Sequence, residues 1–150
     1  VAHAHALGWS SPARTVLMGG SAGGYTALTL LMTYPQLAAG AAVVYPVCDP
    51  ATLSDTTHRF EAHYNDSLVG TSSPVVTAER LTKPVLILHG DADPVVPVDQ
   101  SRALAQRATQ LGRDVRLTVL GGEGHGFRQP ANQALEYGMI ETFISELVPG

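Results

Sequence analysis

The 150-residue chain is 45% hydrophobic and only 15% charged, against roughly 25% charged in an average soluble domain, which excludes a disordered segment and suits one compact domain. Nine lysines and arginines against 13 acidic residues leave a net charge of −4, and no basic stripe runs along the chain, so nucleic acid is not an expected partner. Cys48 is the only cysteine, which excludes an internal disulfide and a zinc–thiolate cluster, and no apolar run is long enough for a membrane span or shaped as a signal peptide.

These features give the expectation of a cytoplasmic protein with no membrane partner. The chain opens on Val1 rather than methionine, so it also reads as a single, partial domain over residues 1–150. Thr15 to Met18 is a short apolar run that enters a pair of glycines and reads as a buried strand. Ala22 to Tyr34 is apolar nearly all round, with Ala27, Leu28, Leu30, Leu31 and Met32, and reads as a deeply packed helix stopped by Pro35. Ala41 to Val47 reads as a second strand, closed by Pro46 and Asp49-Pro50. Residues 49–82 are irregular, with Ser, Thr, Asp and His around Phe60 and Tyr64, and are too long for a simple loop; one or two short helices are expected there.

Pro84 to His89 carries Val85, Leu86, Ile87 and Leu88 without a polar break, as a parallel strand covered on both faces does. Val98 to about Leu111 places Leu104, Ala108 and Leu111 on one helical face, and Gly112 supplies the stop. Val115 to Leu120 alternates, with Val115, Leu117 and Val119 on one face, as a half-covered edge strand does. A last helix over about Asn132 to Val148 turns Ile140, Phe143, Ile144 and Leu147 inward and leaves Glu136, Glu141 and Glu146 to solvent. Strands alternating with helices give an α/β class with a mostly parallel sheet in three α/β/α layers.

Gly19-Gly20-Ser21-Ala22-Gly23 matches G-x-S-x-G between a strand and a helix, the context in which a sharp turn exposes a nucleophilic serine. Strand and helix approach closely there, so the flanking glycines are expected to lack side chains for steric reasons. The N–H of Ala22, at the positive end of the helix, is placed to meet an oxyanion. The competing reading is a glycine-rich phosphate cradle, but no G-x-G-x-x-G occurs and the P-loop lysine is missing. A serine hydroxyl needs a base. His125, wrapped in Gly121-Gly122-Glu123-Gly124-His125-Gly126-Phe127 after the last strand, is the candidate, with Phe127 and Arg128 expected to fix its loop against the sheet. Asp91 and Asp93 compete as the acid that orients the imidazole. Asp93 is favoured because the rigid Pro94-Val95-Val96-Pro97 run follows it, and Asp91 is read as a turn residue bonding local backbone N–H groups.

Other polar residues carry less. His58, Glu61 and His63 lack H-E-x-x-H spacing and a third ligand, so no metal and no cofactor are expected. Cys48 reads as a small buried apolar residue, His89 as a backbone-bonding strand end, and His3 and His5 as members of a ragged N-terminus.

Gly19 to Thr26 (GGSAGGYT), His89 to Ser101 (HGDADPVVPVDQS) and Gly122 to Arg128 (GEGHGFR) together resemble the catalytic domain of the prolyl oligopeptidase family. Within it, the acylaminoacyl-peptidase and dipeptidyl-aminopeptidase-like members are most similar, and Thr57 to Gly70 (THRFEAHYNDSLVG) resembles a segment of that branch. The resemblance implies an α/β-hydrolase fold, of which this chain is the C-terminal half with about four of eight strands. It implies Ser21 as nucleophile, Asp93 as acid, His125 as base and Ala22 as one oxyanion donor. It further implies a β-propeller and the first half of the sheet upstream, the latter supplying the second oxyanion donor and the site for a substrate's amino terminus. The expected activity is a serine-type peptidase acting on short peptides through an acyl-enzyme. A carboxylesterase of the same fold, or a hydrolase-fold module without activity, is the alternative. The open edge of the first strand predicts self-association.

Overall fold

The computed structural model of the chain describes residues 1–53, 73–75 and 77–148. A short helix, α1 (Ala2–Ala6), and a 3-10 turn at Pro12–Arg14 lead into strand β1 (Val16–Gly20), helix α2 (Ala22–Thr33) and strand β2 (Gly40–Val44). Strand β3 (Val85–Gly90), helix α3 (Val98–Gln110), strand β4 (Val115–Leu120) and helix α4 (Pro130–Leu147) follow. All strand pairs are parallel, in the order β1-β2-β3-β4. Short 3-10 turns stand at Pro50–Leu53 and Ala78–Arg80; the rest of the helical expectation for 49–82, with Phe60 and Tyr64, falls on 54–72 and 76, outside the described residues.

Side-chain alternation along the strands sorts the core into two layers. Leu17, Ala41, Val43, Val85 and Ile87 pack with Leu28 and Leu31 of α2 and Leu104 of α3. Ala42, Leu86 and Leu88 face the other way, against Phe143 of α4 and Phe127. Every residue of β3 is buried, which is why its sequence has no polar interruption before His89. Leu28, Ile87 and Leu104 are fully enclosed, and burial of side chains of this size stabilises the fold by about 1.5–3 kcal/mol each.

Several boundaries differ from the sequence reading. β2 stops at Val44 rather than Val47 because Tyr45 takes φ 38°, a left-handed conformation that ends the extended run. β1 continues through Gly19 and Gly20, whose ladder with Val43 and Val44 is intact. On β4, Val115 and Leu117 pack against the core while Val119 is 36% exposed, at the carboxyl end of a strand paired on one side. In α4, Phe143 is buried and Ile140 and Leu147 pack beside it, but Glu136 is half-buried rather than solvated, and burial pushes its carboxyl up from the ordinary value. Glu146 is exposed and pairs with Arg116 at 2.6 Å. Among the described residues no helix is long and apolar enough to cross a membrane.

Candidate active site

The register places Gly20 beside Val44, Val44 beside Leu88 and Gly90 beside Leu120. The loops that follow the four parallel strands therefore leave from one edge of the sheet, the carboxyl edge where open α/β folds bind ligands. Ser21, Tyr45, Asp93 and His125 all sit on those loops, each supplied by a different strand.

Ser21 holds φ 54°, ψ −122° between β1 and α2. A non-glycine residue in such a region stores about 1–3 kcal/mol of strain and persists only when its surroundings fix it. Here the Ser21 N–H donates to the Val44 carbonyl at 3.1 Å, and the Ser21 carbonyl accepts from Val47 (3.1 Å) and Tyr25 (3.2 Å). The steric need for glycine falls at two positions. A Cβ on Gly19 would collide with the Gly23 carbonyl, and one on Gly24 would lie 2.6 Å from Pro46 Cβ. A Cβ on Gly23 would meet nothing within 4 Å. The expectation that both motif glycines lack side chains for steric reasons is thus corrected: Gly19 and Gly24 make the close approaches.

Asp93 is enclosed, its side chain 0% exposed. Its Oδ1 accepts the N–H groups of Val95 (2.8 Å) and Val96 (2.9 Å), so the run after it wraps the carboxylate. Its Oδ2 lies 2.8 Å from His125 Nδ1. The His125 imidazole is 22% exposed and packs at 4.6 Å, tilted by 51°, against the ring of Tyr45. Asp91 is exposed, and its Oδ1 accepts the Gly122 N–H at 2.7 Å. It does not serve a local turn, as its sequence position suggests, but pins the histidine loop to the loop after β3.

His89 bonds the Val96 carbonyl from Nε2 at 2.9 Å, as expected of a strand end, and its Nδ1 also meets Ser101 Oγ at 2.7 Å. Because a carbonyl only accepts, Nε2 carries the proton and Nδ1 accepts from the serine. Burial pushes the His89 imidazole down from its ordinary value, so it stays neutral. Its Nε2 is also 3.4 Å from Asp93 Oδ2. Cys48 is fully buried in the core, and burial pushes its thiol up to about 12, which removes it from nucleophilic chemistry. His3 is exposed, whereas His5 Nε2 meets Thr15 Oγ1 at 2.9 Å. His58, Glu61 and His63 lie outside the described residues.

Three residues escaped the sequence reading. Glu123 is 2% exposed inside the histidine loop and accepts from the Arg128 and Gln129 N–H groups and Asn132 Nδ2, each at 2.9 Å. These bonds, the Arg128 N–H first, hold its carboxyl below the usual carboxylate range. Phe127 is buried as expected, but the Arg128 side chain is exposed and only its backbone anchors the loop. Gln100 accepts from the Cys48 and Asp49 N–H groups and donates to the Asp49 carbonyl and Thr52, tying α3 to the turn after β2. Tyr45 pairs a left-handed backbone with aromatic contacts to His125 and Phe127. Gln100 and Tyr45 act on residues from another element, and Glu123 bonds groups five to nine residues on in an irregular loop, so no regular spacing signals any of the three.

The model of the prolyl oligopeptidase family matches residues 1–149. A dipeptidyl peptidase family member 6 from Caenorhabditis elegans is 30% identical over 95% of this chain and 22% of its own length. Dipeptidyl aminopeptidase BIII from Pseudoxanthomonas mexicana is 28% identical over 91% of this chain and 22% of its own. Among solved structures, a puromycin-hydrolyzing peptidase from Mycobacterium tuberculosis superposes with a TM-score of 0.90 at 29% identity, covering 99% of this chain and 24% of that one. The chain spans less than a quarter of the length of each of these proteins. Its parallel four-stranded sheet with flanking helices is the matching part of an α/β-hydrolase fold.

Proposed function

Since the chain belongs to the prolyl oligopeptidase family, we propose that it carries the catalytic groups of a serine peptidase that hydrolyses short peptides through an acyl-enzyme. Ser21 is the nucleophile, His125 the general base, Asp93 the acid that orients it, and the Ala22 N–H one oxyanion donor. The observation that carries this reading is the 2.8 Å contact from His125 Nδ1 to Asp93 Oδ2, with Oδ1 of the same enclosed carboxylate held by two backbone N–H groups. A carboxylate so held accepts a hydrogen bond from Nδ1–H, which keeps the proton on Nδ1 and leaves Nε2 free to accept another.

In the reaction, Ser21 Oγ attacks the substrate carbonyl as its proton passes to His125 Nε2. The carbonyl oxygen becomes an oxyanion facing the Ala22 N–H at the start of α2, where the helix dipole favours negative charge. Collapse breaks the C–N bond, His125 returns the proton to the departing amine, and Ser21 is left as an ester. Water activated by the same imidazole then releases the acid and restores the serine. Asp93 stabilises the transient imidazolium without taking its proton.

The test is covalent modification by a fluorophosphonate, followed by mass spectrometry of the modified peptide. Label is expected on Ser21 and absent from Ser21→Ala; undiminished labelling of that variant overturns the assignment. Turnover of an aminoacyl anilide in preference to a nitrophenyl acetate supports a peptidase, and the reverse preference favours a carboxylesterase.

A further inference from the structure

Among the described residues only two non-glycine positions have positive φ, Ser21 (54°) and Tyr45 (38°). They are physically linked. Val44, just before Tyr45, accepts the Ser21 N–H, and Val47, two residues after it, donates to the Ser21 carbonyl. The left-handed residue between them turns the chain sharply enough for both groups to address one serine. That backbone role needs no side chain. Glycine or asparagine is the unstrained choice at such a position, and a large β-carbon-bearing residue is disfavoured.

The aromatic ring is therefore retained for what it touches. Its centroid is 4.6 Å from that of His125 and 5.6 Å from that of Phe127, the latter edge-on. A Cβ on Gly20 would also lie 3.0 Å from Tyr45 Cε2, so the ring reaches the residue that precedes Ser21. The Tyr45 N–H is anchored to the Leu88 carbonyl at 2.7 Å, which fixes the base of the side chain to β3. Burial, then the nearby Glu136 and Asp93 charges, raise the phenol above its ordinary value, so the ring is uncharged where His125 works. Asp93 fixes one edge of the imidazole; the Tyr45 ring closes one side of it.

We propose that Tyr45 is a positioning residue whose ring, wedged between the Ser21 turn and the histidine loop, holds the His125 imidazole in the orientation that serves Ser21. The inference rests on the triad reading above, and it is a claim about the ring rather than the hydroxyl or the backbone turn. Removing the ring frees the imidazole to tilt about its Asp93 bond, and misplacement by about 1 Å can lower a rate by about 10².

The experiment compares Tyr45→Phe with two ringless variants, Tyr45→Gly and Tyr45→Asn, both of which accept a left-handed backbone and so keep the Val44 and Val47 bonds to Ser21. Two signals are read on the 150-residue chain: the rate of fluorophosphonate labelling, and the NMR resonance of the His125 Nδ1 proton bonded to Asp93. Phenylalanine is expected to retain the resonance and a labelling rate within about twofold. Either folded ringless variant is expected to broaden or lose the resonance and label about 10- to 100-fold more slowly. An unchanged resonance in a ringless variant overturns the proposal whatever the labelling rate, and so does a phenylalanine variant as impaired as the ringless ones. Failure of the parent to label at Ser21 would instead count against the proposed function, while the resonance still decides the role of Tyr45.

Discussion

Asp93→Asn is a substitution whose effect can be worked atom by atom. The parent carboxylate takes N–H groups from Val95 and Val96 on Oδ1, His125 Nδ1 at 2.8 Å on Oδ2, and His89 Nε2 at 3.4 Å on the same oxygen. An asparagine has one oxygen and one NH₂. Leaving the buried Val96 N–H without an acceptor would cost about 1–3 kcal/mol, with a further penalty for the part-buried Val95 N–H, so the amide oxygen stays with them and the NH₂ replaces Oδ2. That NH₂ donates to His125 Nδ1, which then carries no proton, and the proton moves to Nε2, the atom that accepts from Ser21 in the proposed mechanism. The expected loss is about 10⁴ in rate, or about 5.4 kcal/mol of transition-state stabilisation at 1.36 kcal/mol per decade. Stability should fall by only about 1 kcal/mol, because His89 keeps its 2.9 Å bond to the Val96 carbonyl. Asp91→Asn is the control: its oxygen can still accept the Gly122 N–H, so labelling should stay within a few-fold of the parent. Pre-steady-state fluorophosphonate labelling and thermal unfolding of both variants decide the matter. An Asp93→Asn rate within tenfold of the parent, or a larger effect at position 91, would refute the reasoning.

The turn glycines separate by steric demand. Gly19→Ala and Gly24→Ala should each destabilise the fold by about 1–3 kcal/mol or more in urea titrations, because their Cβ atoms meet the Gly23 carbonyl and Pro46. Gly23→Ala should be neutral or stabilising by up to about 1 kcal/mol, since its Cβ has room and alanine favours helix; equal effects at all three positions would contradict the geometry. Glu123 has a depressed carboxyl, so its stabilising effect is complete above the ordinary value of 4.5 and is lost as pH falls from there through the lower folded value. Glu123→Gln should therefore melt at a lower temperature at pH 7 and show a shallower loss of stability as pH falls below 4.5, as measured by circular dichroism. β1 is an edge strand among the described residues and should template self-association of the 150-residue chain, with Met18 of that strand 55% exposed. Static light scattering should show oligomers that Met18→Lys reduces, and a parent that stays monomeric across a wide concentration range would contradict this.

Apart from the short helix α1 over His3 and His5, read as a ragged N-terminus and so missed, sequence alone determined the order of elements from β1 onward and the parallel sheet, and it offered Ser21, Asp93 and His125 as candidates. Those features follow from local rules: uninterrupted apolar runs mark strands covered on both faces, glycines at fixed offsets mark a sharp turn, and proline or glycine marks where a helix stops. Glu123 was not legible, because its partners sit close by in an irregular loop that has no periodicity to read, and Gln100 and Tyr45 were not, because their partners are brought by the fold from other elements. The same holds for Asp91, which read as a local turn residue and instead accepts from Gly122, 31 residues on. Gly23 satisfies the motif yet has open space, while Gly24 beside it is pressed against Pro46 from another loop. Pattern fixes which backbone shapes are cheap; only the packing of one loop on the next decides which side chain meets which, and the carboxyl edge of this sheet is where four such loops converge.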